Sequence, residues 1–335
     1  MASYRGRRDY EPRAPKPFDF VPIAPVKRAE TVGHEQFRPD HHSGELVYEA
    51  EALTHIFVAS GTYALGEDAG FPKRGVIRTC YRLRGRPAIP GSSMKGVVRS
   101  VAEAVTGSCI TVTREDMRRM PGGKETLGGC EPGRACPACS VFGRLGRMSK
   151  VSFGDALALK GVRTKLYRLP SLYRPRAREA RRVYTDERGE FKGRKFYYHG
   201  EMAEDPRNAP VQVVPRGSRF NGSLQFENLT PDELALLLFA LALDGSFALK
   251  LGGGKPACLG SLRIVPQSLE LLDIGGFTRA ERTAASYTGD ELDHWILDKI
   301  RTVERRRDYI LPEQASELRR ILAYPGEREC PAGMY

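Results

Sequence analysis

The sequence has no apolar run longer than ten residues, at 234–243, whereas a membrane span needs about 20. Its opening residues, MASYRGRRDYEPR, lack the apolar stretch of a secretory signal. Asp9, Glu11 and three early prolines argue against a transit peptide. No segment repeats along the chain. Seven cysteines, an odd number, speak against a disulfide framework and for a reducing compartment, so a cytoplasmic location is expected. Acidic residues are in deficit, with 41 Asp and Glu against 53 Lys and Arg, a net charge of +12. With 41% hydrophobic and 28% charged residues, wholesale disorder is excluded. A length of 335 residues suits two domains or one with large insertions. The positive excess makes polyanions the expected partners, nucleic acid first.

The charge is concentrated. Residues 160–199 hold thirteen basic side chains against four acids, which is +9 of the +12. Arg181, Arg182, Arg194 and Lys195 lie among them, interleaved with Tyr167, Tyr173, Tyr184, Phe191, Phe196, Tyr197 and Tyr198. Cations neutralise phosphates and planar rings stack on unpaired bases, so this composition predicts contact with single-stranded RNA.

Leu46, Tyr48, Ala50 and Ala52 alternate with Val47, Glu49 and Glu51, the pattern of a half-buried strand. A glycine-containing loop is expected over residues 60–86. Helical spacing follows at Met94, Val97, Val98, Val101, Ala102 and Val105, with Ser92 or Ser93 as its cap. Residues 151–158 read as one short strand. Phe220, Leu224 and Phe226 alternate with polar neighbours in another. Thr230, Pro231 and Glu233 form a capping box before an apolar helix that Gly245 is expected to stop. Past the run Gly252, Gly253, Gly254, residues 261–265 read as the last strand. Two helices come after Phe277, with stripes Leu292, Trp295, Ile296, Ile300 and Leu318, Ile321, Leu322. The order strand, helix, strand, strand, helix, strand predicts an α+β fold with a ferredoxin-like (RRM-like) core. On this reading 1–44 is an extended arm and 45–275 the core. Insertions at 109–150 and 160–215 interrupt that core, and 276–335 is a C-terminal helical extension.

Cys130, Cys136 and Cys139 have the spacing C-x5-C-x2-C among glycines and prolines, the knuckle of a structural zinc site. A closed site needs a fourth ligand. Cys109 is the nearest upstream choice, with Cys80, Cys258 or a histidine as alternatives. The thioredoxin-like context of a redox C-x-x-C is missing. Zinc here would fold an insertion that has no core of its own. Ser92 and Ser93 at a helix start offer a phosphate site, and Lys95 and Arg99 share one helix face. Lys255 is followed by Pro256, so the glycine run is not a nucleotide P-loop.

Ile89-Pro90-Gly91-Ser92-Ser93-Met94-Lys95-Gly96 resembles a motif of the RAMP superfamily of CRISPR-associated proteins. Cys136-Pro137-Ala138-Cys139 with the Phe142-Gly143 after it, Val151-Ser152-Phe153-Gly154-Asp155-Ala156, Val214-Pro215-Arg216-Gly217, and the Gly252, Gly253, Gly254, Lys255 loop occur in that family's order. The resemblance implies a backbone subunit of a type III-like effector, stacked with other copies of itself and other effector subunits along a guide RNA. The 160–215 insertion would be a thumb wedged into the duplex of guide and complementary target RNA. Some such subunits cut target RNA with Mg²⁺ and an aspartate in the loop after the first strand. Counted back from Ile89, that aspartate falls at residues 73–75, where no acid stands. Asp68 is the nearest catalytic candidate. A guide-processing endoribonuclease, using His41, His42 or tyrosines, is the alternative.

Overall fold

The computed structural model describes residues 17–72, 75–110, 126, 128–131, 133–170, 183–206, 208–273, 283–326 and 328–330. Two short strands, β1 (Phe18–Val21) and β2 (Ala29–Glu30), lie within the stretch expected to be an extended arm. In β3 (His42–Ala52), Leu46, Tyr48, Ala50 and Ala52 are buried, as a pleated strand with one wet face requires. The expected loop over 60–86 instead holds the hairpin of β4 (Ala59–Leu65) and β5 (Val76–Cys80), then β6 (Arg82–Leu83) and β7 (Arg86–Ile89). Thr62, Tyr63, Val76, Ile77 and Thr79 suit a pleated surface, a signal that the surrounding glycines hid.

Helix α1 (Gly91–Val105) buries Met94, Val98, Val101, Ala102 and Val105. Its N-cap is Pro90, and neither serine caps it. Asp155 does that work, its carboxylate accepting the Gly91 N–H at 2.8 Å. The chain passes so close here that a Cβ on Gly91 would stand 2.0 Å from the Phe153 carbonyl. Beyond β8 (Arg134–Ala135) and α2 (Pro137–Phe142), the single strand expected at 151–158 is two, β9 (Val151–Phe153) and β10 (Ala156–Ala158). The break at Gly154 and Asp155 lets the aspartate reach the helix.

The strands β11 (Lys165–Tyr167), β12 (Arg194–Tyr197) and β13 (Val211–Val213) lie in the basic insertion. β14 (Arg219–Leu229) buries Phe220, Leu224 and Phe226. Helix α3 (Pro231–Ala240) carries the full capping box of Thr230 and Glu233. It stops before Gly245: Leu241 is its C-cap, and Ala242 takes a left-handed φ of 59° that ends the helical path. β15 (Leu249–Lys250) and β16 (Ser261–Leu272) follow, and β16 is not the last strand, because β17 (Thr283–Thr288) pairs with it. The chain closes with α4 (Gly289–Arg306) and α5 (Pro312–Ile321), which bury Leu292, Ile296, Ile300, Leu318 and Ile321.

The main sheet has the order β15-β16-β3-β14-β10-β7-β6, with β9 also on β14. Ala50 of β3 faces both Phe220 of β14 and Ile264 of β16, and both pairings are antiparallel. A second sheet runs β11-β13-β5-β4, and β1 pairs with β12. The result is a mixed α+β fold whose core lies between the main sheet and helices α1 to α5. One expectation from the cysteine count fails: Cys258 and Cys330 are disulfide-bonded. An odd total does not forbid one pair, and these two are 72 residues apart, beyond the reach of any spacing argument. Among the described residues no helix is long and apolar enough to cross a membrane.

Candidate nucleic-acid interface and metal centre

The knuckle gathers four cysteines. The sulfurs of Cys109, Cys130, Cys136 and Cys139 all lie within 4.8 Å of one another, and all four residues are buried. Cys109 Sγ is 3.8 Å from Cys130, 3.6 Å from Cys136 and 3.7 Å from Cys139. Zinc–thiolate bonds of about 2.3 Å in a tetrahedron set sulfur–sulfur edges of about 3.8 Å. The donor set and its spacing therefore fit a structural metal such as zinc. Cys109 is the fourth member, while Cys80 lies apart, against Gln212, and Cys258 is in the disulfide.

Salt bridges brace this cluster. Glu103 on α1 accepts from Arg99 and from Arg194, each at 2.8 Å. Arg194 also donates to the carbonyls of Ser108 and Cys109, at 3.0 and 3.1 Å. Arg99 donates to the Gly143 carbonyl at 2.9 Å. Two side chains expected to meet RNA are thus engaged inside the protein, tying the basic insertion to the knuckle. Arg181 and Arg182 lie outside the described residues.

Nearer the N-terminal end of α1 a cavity of about 330 Å³ opens. Ser92, Ser93 and Ser100 line it from the helix, Lys195, Phe196 and Tyr197 from β12, and Lys250, Gly252 and Lys255 from the glycine-rich segment. Among the described residues no carboxylate lines it. Five residues singled out in the sequence therefore meet: Ser92, Ser93, Lys195, Gly252 and Lys255. Lys95, half-buried beside Arg99, is outside the lining, as are Gly253 and Gly254. The glycines shape the loop instead. Gly252 has φ 82°, and a Cβ there would stand 2.5 Å from the Phe57 carbonyl. Gly253 N–H donates to that same carbonyl at 2.7 Å.

Lys195 is held by rings. Its ammonium sits 4.2 Å from the Phe18 centroid, 4.6 Å from Tyr197 and 5.3 Å from Tyr184. The arm strand β1 thereby completes the basic site. The Lys255 ammonium has no hydrogen bond or ion pair among the described residues, and burial lowers its pKa. Lys250, which sequence reasoning missed, is only 6% exposed. Its ammonium donates to the Cys258 carbonyl at 3.2 Å and to Ser261 Oγ at 3.1 Å. Burial, with Lys255 nearby, pushes its pKa down to about 7. A lysine inside the apolar flank Ala248-Leu249-Lys250-Leu251, just before glycines, was the available signal.

His199 also reaches Ser261, at 2.7 Å, but its second ring nitrogen bonds the Ala248 carbonyl and the residue is buried. Desolvation lowers its pKa to about 3, so it stays neutral. Asp68 is exposed and lines a different cavity, of about 710 Å³, with Ser60, Thr79, Tyr81 and Gln212. His41 bonds Asn228 and lines another cavity, about 810 Å³, beyond the C-terminal end of α1. There the buried Lys150 is already matched by Glu233 at 2.8 Å.

Residues 49–263, more than half of the chain, match the RAMP superfamily. The chain belongs to the RAMP superfamily. Membership implies a role in binding CRISPR RNA, and the matched span contains the knuckle, the three lysines of the cavity and most of the main sheet. Within this RAMP protein β17, α4, α5 and Cys330 lie beyond the matched residues. A comparison with curated proteins finds no match.

Proposed function

We propose that this chain is a guide-RNA-binding backbone subunit of a type III-like CRISPR ribonucleoprotein in antiviral defence, working in the cytoplasm. It stacks along the guide with other copies and other effector subunits, and its 160–215 insertion is the thumb set against the guide–target duplex. The antiparallel order β16-β3-β14-β10 supports a ferredoxin-like core over residues 45–275, because it places the fourth core strand beside the first and the third between the first and second. Zinc held by Cys109, Cys130, Cys136 and Cys139 is a structural cofactor that stiffens the knuckle.

One observation carries the reading. Lys195, Lys250 and Lys255 line, with three serines, a cavity that no acid lines among the described residues. Such a site takes phosphate, and sequence enters through base pairing of the guide rather than through this protein. The full chain purified after expression with its guide should carry RNA, seen as a high ratio of ultraviolet absorbance by bases over that by protein. A chain that is free of RNA and binds none when it is added would refute the proposal. For cleavage, the reconstituted complex is given matched target RNA and Mg²⁺. We expect no cutting that depends on Asp68, and regular cuts lost in Asp68→Ala would make this loop an active site. The guide-processing alternative gains no support from His199, whose ring nitrogens are both engaged.

A further inference from the structure

Lys250 presents a problem of charge. A buried ammonium is stable when a carboxylate or another anion neutralises it. Here its two contacts are neutral oxygens, the Cys258 carbonyl and the Ser261 hydroxyl. The charged and titratable groups around it are Lys255 from the glycine-rich segment, Lys195 from β12 and His199 beyond β12. The first two are cations, and the third is a histidine kept neutral by burial. Helix α1 contributes only hydroxyls, from Ser92, Ser93 and Ser100. Other enclosed cations have carboxylate partners by contrast: Lys150 has Glu233, and Arg99 and Arg194 share Glu103. An ammonium has three donors, and two are used, leaving one with no partner among the described residues.

We propose that one phosphate group of bound RNA occupies this cavity as the missing counter-charge of Lys250, and that its arrival draws one proton from solution onto the Lys250 amine. This rests on the RNA-binding reading above. Without an anion, the desolvated site holds the amine neutral through part of the physiological range. With a phosphate in place the ammonium is favoured, and Lys195 and Lys255 complete a three-cation cradle. The amine gains a proton and no covalent bond changes. Binding therefore weakens as pH rises above about 7, by up to tenfold per pH unit, until the pKa of the bound state is reached. Guide loading would be tighter in acidic than in alkaline conditions through this one residue.

The test is calorimetry on the full chain, titrated with single-stranded RNA and separately with sulfate, a dianion that does not itself titrate here. Buffers of different ionisation enthalpy give the proton count. At about pH 8 we expect uptake approaching one proton per chain, falling toward zero near pH 6. Lys250→Arg, always charged, should bind without uptake and without the pH dependence. Lys250→Met should lose both as well, and bind more weakly at the acidic end. Wild-type binding with no uptake and a flat pH profile would overturn the proposal, as would uptake that persists in both variants. Uptake with sulfate but not on RNA binding would show that the RNA phosphate sits elsewhere. If RNA does not bind at any pH while sulfate draws the proton, the RNA-binding reading falls and the cavity remains an anion site.

Discussion

Two neighbouring regions beside helix α1 treat positive charge in opposite ways. Toward the knuckle, Arg99 and Arg194 converge on Glu103 beside four thiols, and each guanidinium has a partner within the protein. Toward the glycine-rich segment, Lys195, Lys250 and Lys255 line a cavity with no carboxylate among its described lining residues. Charge neutralised internally builds the fold, whereas charge left over marks where a ligand must supply the balance. A count of basic residues does not separate these roles. Arg194 and Lys195 are neighbours in sequence and fall on opposite sides of the distinction.

The contrast can be broken most severely at the thiols. Structural zinc contributes on the order of 10 kcal/mol to the fold that holds it. Cys136→Ser, or a strong chelator, should strip the metal and collapse the knuckle. Elemental analysis should give about one zinc per chain before treatment, and melting should shift sharply after it. A metal-free protein that keeps its full stability would reject the assignment.

The next effect is at Glu103. Replacing it with alanine leaves two partly buried guanidiniums unmatched and should cost about 2–3 kcal/mol in urea unfolding. If Glu103→Ala melts like wild type, the bracing is not structural.

On the cavity side the sign reverses. Lys250→Met should stabilise the ligand-free protein by roughly 1–3 kcal/mol at neutral pH, because it removes a buried charge without a partner. The folded-state pKa of about 7 lies below the ordinary lysine value of 10.5. Between those values the folded state binds fewer protons than the unfolded one, so wild-type stability rises with pH. The gap to Lys250→Met should close by about pH 10.5, and denaturant midpoints across that range measure it. A gap that stays constant would mean that Lys250 does not titrate in this window.

The smallest expected effect is at Lys255. Lys255→Gln should weaken binding of all RNA sequences alike and reduce the slope of log affinity against log salt by about 0.7. A loss confined to one sequence would contradict phosphate recognition.

Periodicity made much of the scaffold legible. The alternation in β3 and β14, the capping box of α3 and the two C-terminal stripes are local patterns, and local patterns survive folding. The C-x5-C-x2-C spacing pointed to three metal ligands, and Cys109 followed from proximity in sequence. What stayed hidden depends on distant partners. Asp155 caps α1 from 64 residues away. Glu103 meets Arg194 across 91 residues, so an arginine that looked free for RNA turned out to be a brace. Lys250 was not singled out, because its burial is set by β16, the glycine-rich segment and the C-terminal residues together. The hairpin β4–β5 was hidden by glycines that read as loop.

The Cys258–Cys330 bond has a topological consequence. It closes a covalent ring that starts at the glycine-rich segment, runs through β16, β17, α4 and α5, and returns to the same place. A protease that cuts the chain once between residues 258 and 330 would leave two fragments that still travel as one molecule. They would separate only when a thiol reductant opens the ring. The C-terminal helices, which lie outside the family's matched residues, are thus fastened to the segment that presents Lys250 and Lys255. An electrophoretic band that splits with reductant only after nicking would register that closed circuit directly.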